Sequence, residues 1–271
     1  MLRKLAIVFF AALIPTGALA NWSSSAPKAH KSWVGHNPAN TQAIDHSEWS
    51  RLLGKYIKRD GSGLNRFAYG KVSAADKAAL DNYIDSLSKV KITDRSRAVQ
   101  KAYWINLYNA LTVDLILDNY PVSSIRDIKS GLISIGPWGK ELVKVENRDL
   151  SLDNIEHNIL RPIWQDARIH YAVNCASVGC PNLHNKAFTA RNTEKLLDQL
   201  ARDYVNSPRG LSISNDRVTV SKIYKWFAYD FGNSEDAVLQ HLGKYATADR
   251  RAALQKVGRI DNSRYDWALN E

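Results

Sequence analysis

The fold is decided by residues 96–118, SRAVQKAYWINLYNALTVDLILD. Read as a helix, this segment places apolar side chains around most of its circumference, and a helix of that kind is buried on several sides. Asn106 and Asn109 lie three residues apart on one face of it. Pro121 ends the segment, because the residue before a proline disfavours helical backbone. We therefore expect one long buried helix that carries two amide side chains.

Amphipathic helices are predicted on both sides of this segment. Ser73 precedes one of them as an N-cap, with Asp76 three residues further on. Apolar residues recur at helical spacing in several other stretches. The predicted helices cover Ile44–Lys58, Ser73–Leu87, a short helix from Asp153, Asn192–Val205, the surroundings of Trp226-Phe227, Ala237–Tyr245 and Ala248–Val257.

Strands are short and few in the pattern. Two hairpins are predicted, one over Glu141–Leu150 with a turn at 146–149 and one over Leu211–Val220 with a turn at 214–216. Arg168–Asn174 is short and largely apolar, which favours a buried strand. Because helices dominate and the strands are mostly antiparallel, the predicted fold class is α+β, as a single helix-rich domain.

The first twenty residues have the pattern of a secretory signal peptide. A basic start precedes an apolar run, and Ala18-Leu19-Ala20 is a small-x-small cleavage site. Losing Arg3 and Lys4 lowers the formal net charge from +10 to +8. The predicted location is periplasmic or secreted, which is an oxidising environment. The predicted organisation is a signal peptide over 1–20, a flexible lead-in over 21–42 and one globular domain over 43–271.

The composition excludes several classes of protein. With 45% hydrophobic and 24% charged residues among 271, the chain is of ordinary globular composition rather than disordered. Two cysteines are too few for a disulfide-rich scaffold. The sequence has no P-loop, dinucleotide fingerprint or paired metal motif, so no cofactor and no metal is predicted. The basic charge is dispersed, and in a secreted protein it favours weak attraction to anionic envelope surfaces over nucleic acid.

Chemistry is most concentrated in residues 168–183, RIHYAVNCASVGCPNL. The predicted strand delivers Cys175 to a loop of small residues, and sites are commonly built on such loops. A thiol is a nucleophile when a base lies beside it, whereas an unassisted cysteine is mostly protonated at neutral pH. The loop amides around Ala176–Gly179 are the candidate donors to an oxyanion.

Two histidines are candidate bases for Cys175. His170 precedes it by five residues, and on an uninterrupted strand this odd separation places the two on opposite faces. His157, on the preceding predicted helix, has no such restriction. Its neighbour Glu156 points elsewhere on an α-helix and stands at capping-box spacing from Asp153, so it is interpreted as a cap.

A buried amide is the expected orienting group for the imidazole. Asn106 or Asn109 is of the kind that holds a histidine in one tautomer. The alternative is that both amides simply pair with neighbouring backbone.

Other interpretations of the cysteines stay open at this point. Cys175 and Cys180 can close a disulfide across a four-residue gap. Their spacing does not match the Cys-x-x-Cys redox motif, which speaks against an oxidoreductase. A zinc site formed by His157, His170 and Cys175 is a third interpretation.

Five motifs together resemble the domain of unknown function 547 family. They are Tyr103–Thr112, Leu152–Arg161, His170–Pro181, Trp226–Phe231 and Tyr265–Asn270. The resemblance runs from about His46 to the C-terminus and implies a helix-rich α+β domain with a distant likeness to thiol-hydrolase folds of the papain or transglutaminase type. It makes Cys175 a fixed position of the family and Cys180 a variable one. It also carries over His157, Glu156, His170 and Asn109 as motif positions, without assigning their roles.

The resulting hypothesis is a secreted or periplasmic cysteine-dependent hydrolase or acyltransferase that acts on an amide or a thioester. Cys175 is the nucleophile, His157 the general base, and Asn109 or Glu156 the orienting group. Peptide or peptidoglycan fragments are the obvious amides of that compartment. The alternative is a non-catalytic binding module, in which a Cys175–Cys180 disulfide shapes a ligand loop and aromatic side chains stack on peptide or glycan.

Overall fold

A computed structural model describes residue 22, residues 24–129 and residues 136–271. The described residues are about 49% helical and 11% strand, with the strands in small sheets. This confirms the predicted α+β class. The predicted signal peptide lies outside the described residues.

The helices follow the predicted order, with their ends displaced by a few residues. Ser73 is the N-cap that the sequence predicts, since its side chain accepts a hydrogen bond from the Asp76 amide at 3.2 Å. The helices are α1 Ser47–Tyr56, α2 Ala74–Ser88, α3 Arg97–Asn119, a π-helix over Asn154–Leu160, α4 Arg161–Trp164, α5 Thr193–Val205, α6 Ile223–Trp226, α7 Glu235–Tyr245 and α8 Ala248–Val257.

Short 3-10 turns connect these helices. They cover Lys31–Trp33, Tyr69–Lys71, Ile92–Asp94, Ile125–Asp127, Ala167–Tyr171 and Ala228–Phe231.

The strands form three small sheets. The antiparallel pairs are β1 Ile57–Arg59 with β2 Asn65–Phe67, β3 Val143–Val145 with β4 Arg148–Leu150, and β5 Leu211–Ser214 with β6 Arg217–Ser221; β7 Asn262–Arg264 joins β6 in parallel. The second and third pairs are the predicted hairpins. Both turn on two residues at positive φ, Glu146-Asn147 and Asn215-Asp216, and this conformation matches the twist of the flanking strands.

Helix α3 is the centre of the core. Every residue from Val99 to Val113 is buried, as the apolar circumference predicts. It packs against α2, the π-helix and α5. No helix in the described ranges is long and apolar enough to span a bilayer.

The segment predicted as a lead-in contacts the beginning of α3. Trp33 is buried and meets the ring of Trp104 edge-on, with the ring centroids 5.1 Å apart. The amide of Asn37 donates to the carbonyl of Arg95 at 3.1 Å. This segment therefore adds an aromatic side chain to the core beside α3.

The prediction of a buried strand over Arg168–Asn174 is wrong. Residues 167–171 form a 3-10 helix, and the side chain of Asp166 accepts the Arg168 amide at 3.0 Å. A carboxylate that accepts a backbone N–H in this way stabilises a helical turn in competition with strand pairing. The apolar run is buried as expected, but the strand alternation that separated His170 from Cys175 does not apply.

Candidate functional site

One cavity of about 260 Å³ brings together four of the five predicted site residues. They are Cys175, His170, His157 and Glu156, and they come from the Cys loop (residues 172–182), the preceding 3-10 helix and the π-helix. The volume lies just below the range of drug-sized ligand pockets. It is suited to one amino-acid side chain or a short acyl group.

Asn109 is not in the cavity wall, and its predicted contact with a histidine is wrong. Its side-chain amide donates to the carbonyl of Ala172 and accepts the amide of Asn174, each at 2.8 Å. The N–H and C=O groups of a buried loop need such partners, because the loop has no regular secondary structure to pair them. Asn109 therefore holds the loop directly before Cys175. Asn106 holds the backbone of Phe188 in the same way, at 2.8 and 2.9 Å.

The Cys loop turns sharply after Cys175. Ala176 has a φ of 56°, a left-handed conformation that is uncommon for a residue with a side chain. The carboxamide of Asn174 accepts the Ala176 amide at 2.8 Å and so supports the turn. Unusual backbone of this kind costs on the order of 1 kcal/mol and is often found at functional sites.

A seam between residues 176–179 and residues 266–270 encloses the loop. The amides of Val178 and Gly179 donate to the carbonyls of Ala268 and Asp266, each at 2.8 Å. Glycine is required at 179, because a Cβ there would lie 2.7 Å from the Asp266 nitrogen. The predicted oxyanion donors are thus wrong for the amides of Ala176, Val178 and Gly179, since each is already bonded within the protein.

The thiol of Cys175 is surrounded by neutral donors. Its sulfur lies 2.9 Å from Cys180 Sγ, 2.9 Å from Tyr265 Oη and 3.2 Å from Ser177 Oγ. Hydrogen bonds from Cys180, and then from Ser177 and Tyr265, lower the pKa of Cys175 against the opposing effect of burial. Among the described residues, no histidine is a hydrogen-bond partner of this sulfur. The thiolate is stabilised without the imidazole that the sequence analysis required.

His170 is fixed between two carboxylates. Its Nε2 donates to Asp230 Oδ2 at 2.6 Å, and its Nδ1 faces Glu156 Oε1 at 3.6 Å. Asp230 also accepts the guanidinium of Arg161 at 2.5 Å. Although burial alone raises it, these two donors hold the pKa of Asp230 below its usual range. The ring of His170 stacks on Phe227 at 4.2 Å, so both its position and its tautomer are set.

His157 lies at the rim of the cavity. Its Nδ1 accepts a hydrogen bond from Arg161 at 3.1 Å, because a guanidinium only donates. Its Nε2 therefore carries the proton and faces Asp153 at 3.6 Å. The unprotonated nitrogen of His157 is thus occupied by Arg161, whereas the Nδ1 of His170 accepts no hydrogen bond from the described residues. The geometry therefore favours His170 over His157 as the base, against the sequence hypothesis.

Glu156 is not a helix cap. It is buried, accepts the hydroxyl of Tyr108 at 3.1 Å and faces His170. Both Glu156 and His157 line the cavity from the π-helix, but the side chain of Glu156 contacts Tyr108 and His170 rather than His157. Single π-helical turns are frequent at functional sites.

Aromatic side chains form the remaining wall. Trp226, Tyr265 and Trp267 contact one another, with ring centroids 4.6 to 5.7 Å apart, and Trp138 meets Trp267 edge-on at 5.6 Å. The cavity is consequently apolar on this side and charged beside His170. Such a wall favours an apolar or aromatic group next to the thiol.

Sequence reasoning did not assign roles to Tyr265, Asp230 or Ser177. Tyr265 and Asp230 lie in motifs that the resemblance includes, but they are about 90 and 60 positions from their partners in the site. Ser177 could have been identified from the sequence, because its hydroxyl lies only two residues after the thiol of Cys175. Among the described residues, no cluster of three or more His, Cys, Asp or Glu side chains has the arrangement of a metal site.

The fold and the site define an α+β domain with a cysteine-bearing, aromatic-walled cavity. Residues 92–205 match the family model described as "Protein of unknown function, DUF547", so this part of the chain is similar to that family. The match contains α3, the π-helix and the Cys loop, whereas Asp230, Tyr265 and Trp267 lie beyond it. Searches of curated proteins and of solved structures gave no match.

Proposed function

We propose that the chain is a cysteine-dependent hydrolase or acyltransferase that acts on an amide or a thioester. One observation carries the proposal. The sulfur of Cys175 lies in the wall of a substrate-sized cavity with three hydrogen-bond donors around it, at 2.9, 2.9 and 3.2 Å. Because the thiolate is the reactive form of cysteine, this arrangement supports a nucleophile.

Two steps complete the reaction. The Cys175 thiolate adds to the acyl carbon, the C–N or C–S bond breaks, and the departing amine or thiolate takes up a proton. The acyl group remains on Cys175 as a thioester. Water, or an acceptor amine or alcohol, then adds to that thioester, loses a proton and releases the thiolate. Splitting the transfer into two steps is the purpose of covalent catalysis.

His170 is the proposed carrier of these protons. His170 lines the cavity, and with its Nε2–H donated to Asp230 its Nδ1, 3.6 Å from Glu156 Oε1, carries the lone pair. In the first step it passes a proton taken up from solvent to the departing amine or thiolate, and in the second step it takes the proton of the attacking water and releases it to solvent. A water molecule relays the proton where the reacting atom is not in direct contact. Asp230 orients the imidazole and stabilises its charged form.

The substrate we propose is a small peptide-like or peptidoglycan-like amide, or a thioester of similar size. The aromatic wall formed by Trp138, Trp226 and Trp267 supports an apolar group beside the scissile bond. The location we propose is periplasmic or secreted. N-terminal sequencing of protein exported by an expressing bacterium tests it, with Asn21 as the expected first residue.

Trapping the acyl-enzyme tests the proposed activity. Purified full-length protein is mixed with a small aromatic acyl thioester, and the leaving thiol and the intact protein mass are followed together. We expect a rapid release of thiol with an acyl adduct on Cys175, located by peptide mass spectrometry. No adduct on Cys175, or equal turnover by a Cys175→Ser variant, overturns the proposal.

A non-catalytic binding module is the second candidate, and the aromatic wall is the observation that favours it. In this alternative the cavity holds a peptide or glycan fragment by stacking, and a Cys175–Cys180 disulfide shapes the loop. The module predicts that a peptide or glycan fragment quenches tryptophan fluorescence with no turnover in wild type, and that binding weakens in Cys175→Ser and in reduced wild type, where the disulfide is absent.

A further inference from the structure

The two cysteines form an unequal pair. Cys180 is 4% exposed, whereas Cys175 is partly exposed in the cavity wall. Their sulfurs are 2.9 Å apart, and the Cys175 amide also donates to Cys180 Sγ at 3.1 Å. A disulfide bond requires about 2.05 Å, so the sulfurs need to move by only about 1 Å to bond.

The surroundings of Cys180 keep it next to its partner. Arg209 donates to the carbonyls of Cys180 and Val178, and Tyr204 donates to the carbonyl of Gly179 at 2.6 Å. Burial and the neighbouring Cys175 raise the pKa of Cys180, in contrast to the lowered pKa of Cys175. One thiol thus has a lowered pKa and partial exposure, and the other has a raised pKa, is buried and lies within bonding reach. This is the division of labour between an attacking and a resolving cysteine.

We infer that Cys175 and Cys180 carry out thiol–disulfide exchange with a small disulfide or a disulfide-bearing peptide that enters the cavity. This activity goes beyond the proposed acyl transfer and does not depend on it. The four-residue gap spoke against redox chemistry in the sequence, but the left-handed Ala176 and the seam bring the two sulfurs together.

The exchange balances without a further reagent. The Cys175 thiolate attacks one sulfur of the substrate R–S–S–R′, the S–S bond breaks, and R′S⁻ leaves and takes up a proton. Cys180 loses its proton to solvent and attacks Cys175 in the mixed disulfide, which expels RS⁻. The protein dithiol is oxidised to the Cys175–Cys180 disulfide, and the substrate is reduced to two thiols. The oxidised pair has no free thiolate, so the same step stops acyl transfer.

Intact-mass analysis after reaction with 2-hydroxyethyl disulfide tests this inference. Pre-reduced full-length protein is mixed with an excess of the reagent, quenched with acid at intervals and weighed. We expect wild type to lose two hydrogen atoms and to release two equivalents of mercaptoethanol. Cys180→Ser should instead retain one mercaptoethanol unit on Cys175, because nothing resolves the mixed disulfide. Cys175→Ser should react at least about tenfold more slowly than wild type, since its remaining thiol is buried and protonated.

Three results overturn the inference. They are a wild type that retains the adduct without closing, a Cys175→Ser variant that reacts as fast as wild type, and a wild type that does not react. Thermal unfolding of each variant verifies that it is folded, and Cys180→Ala replaces Cys180→Ser if the latter is not. Thioester turnover of reduced wild type is measured separately. If the disulfide forms but no thioester is turned over, the exchange is supported and the proposed acyl transfer is overturned. If thioester is turned over but the disulfide does not form, the acyl transfer is supported and the exchange is overturned.

Discussion

The cavity has two walls with reactive groups, and the reactive group has neutral neighbours in one wall and charged neighbours in the other. The thiol wall, which consists of Cys175, Ser177, Cys180 and Tyr265, surrounds a sulfur with neutral S–H and O–H donors. The imidazole wall consists of His170 and Glu156, which line the cavity, together with Asp230 and Arg161, and it surrounds a ring with charged groups. Among the described residues, no hydrogen bond joins Cys175 to His170.

The difference separates two properties of one site. Neutral donors around the sulfur govern how much thiolate exists, because they favour the charged form of Cys175. Charged partners around the ring govern where the proton of His170 sits. Glu156 links the two walls, since its charge raises the pKa of Cys175. Substitutions at the other residues of each wall should act separately, with alkylation of Cys175 reporting on the first wall and turnover reporting on both.

Cys175→Ser should have the largest effect. Loss of the nucleophile should reduce thioester turnover by about 10³-fold or more, in line with nucleophile deletions in other acyl-transfer enzymes. Steady-state release of the leaving thiol measures it, with thermal unfolding as the control for folding. Iodoacetamide should no longer label position 175, whereas Cys180→Ser should still be labelled there. If Cys175→Ser retains the turnover of wild type, the thiol wall has no part in catalysis.

Asp230→Asn should have the next largest effect. The neutral amide no longer stabilises a charged His170, so turnover should fall by about 10²–10³-fold, within the usual range for acid–base groups. The rate of Cys175 alkylation should stay within about twofold of wild type, since the thiol wall is intact. Asp236→Asn, at an exposed position in α7, is the matched control. An equally large fall in the rate of Cys175 alkylation would show that the two walls are coupled and would contradict their separate roles.

Tyr265→Phe should have a moderate effect on the thiol alone. Hydrogen bonds lower the pKa of Cys175, so the alkylation rate of wild type should rise to its plateau at a lower pH than for a free cysteine. Removing one donor should move the midpoint upward and reduce the thiolate at neutral pH by about tenfold, since a hydrogen bond to a charged group contributes about 1.5–3 kcal/mol. The pH profile of iodoacetamide labelling measures the shift. Tyr229→Phe, an exposed tyrosine, should leave the profile unchanged.

Arg209→Lys should have the smallest effect. The guanidinium contacts two loop carbonyls and the side chain of Asn182, and an ammonium group does not reproduce that fork. We expect the free energy of unfolding to fall by about 1 kcal/mol and the alkylation rate to change by less than about threefold. Chemical denaturation measures the first quantity, and Arg217→Lys on the exposed face of β6 is the control. A large loss of alkylation would assign Arg209 to the thiol itself.

The sequence predicted those parts of the fold whose causes are local. The apolar circumference of α3, the Ser73 cap and the two-residue turns each depend on neighbours a few positions away. The strand predicted over Arg168–Asn174 was wrong because apolar content alone does not distinguish a strand from a buried helical turn. The Asp166 cap is the local signal that decides it.

The sequence predicted which residues belong to the site better than it predicted which residues contact one another. Cys175, His170, His157 and Glu156 do share one cavity. Their partners were not predictable from spacing, because Asp230 and Tyr265 reach the site through tertiary packing over 60 and 90 positions. Glu156 was misassigned as a cap because its partners, Tyr108 and His170, meet it through tertiary packing that capping-box spacing does not reveal.

The seam between residues 176–179 and 266–270 has a kinetic consequence. Helices and hairpins form from contacts that are close in sequence, whereas the seam closes a loop of about ninety residues, and the entropy of that closure must be overcome first. Tyr265 reaches Cys175 only when this closure is made. We therefore expect a chain in which this closure has not been made to carry an ordinary, weakly reactive cysteine.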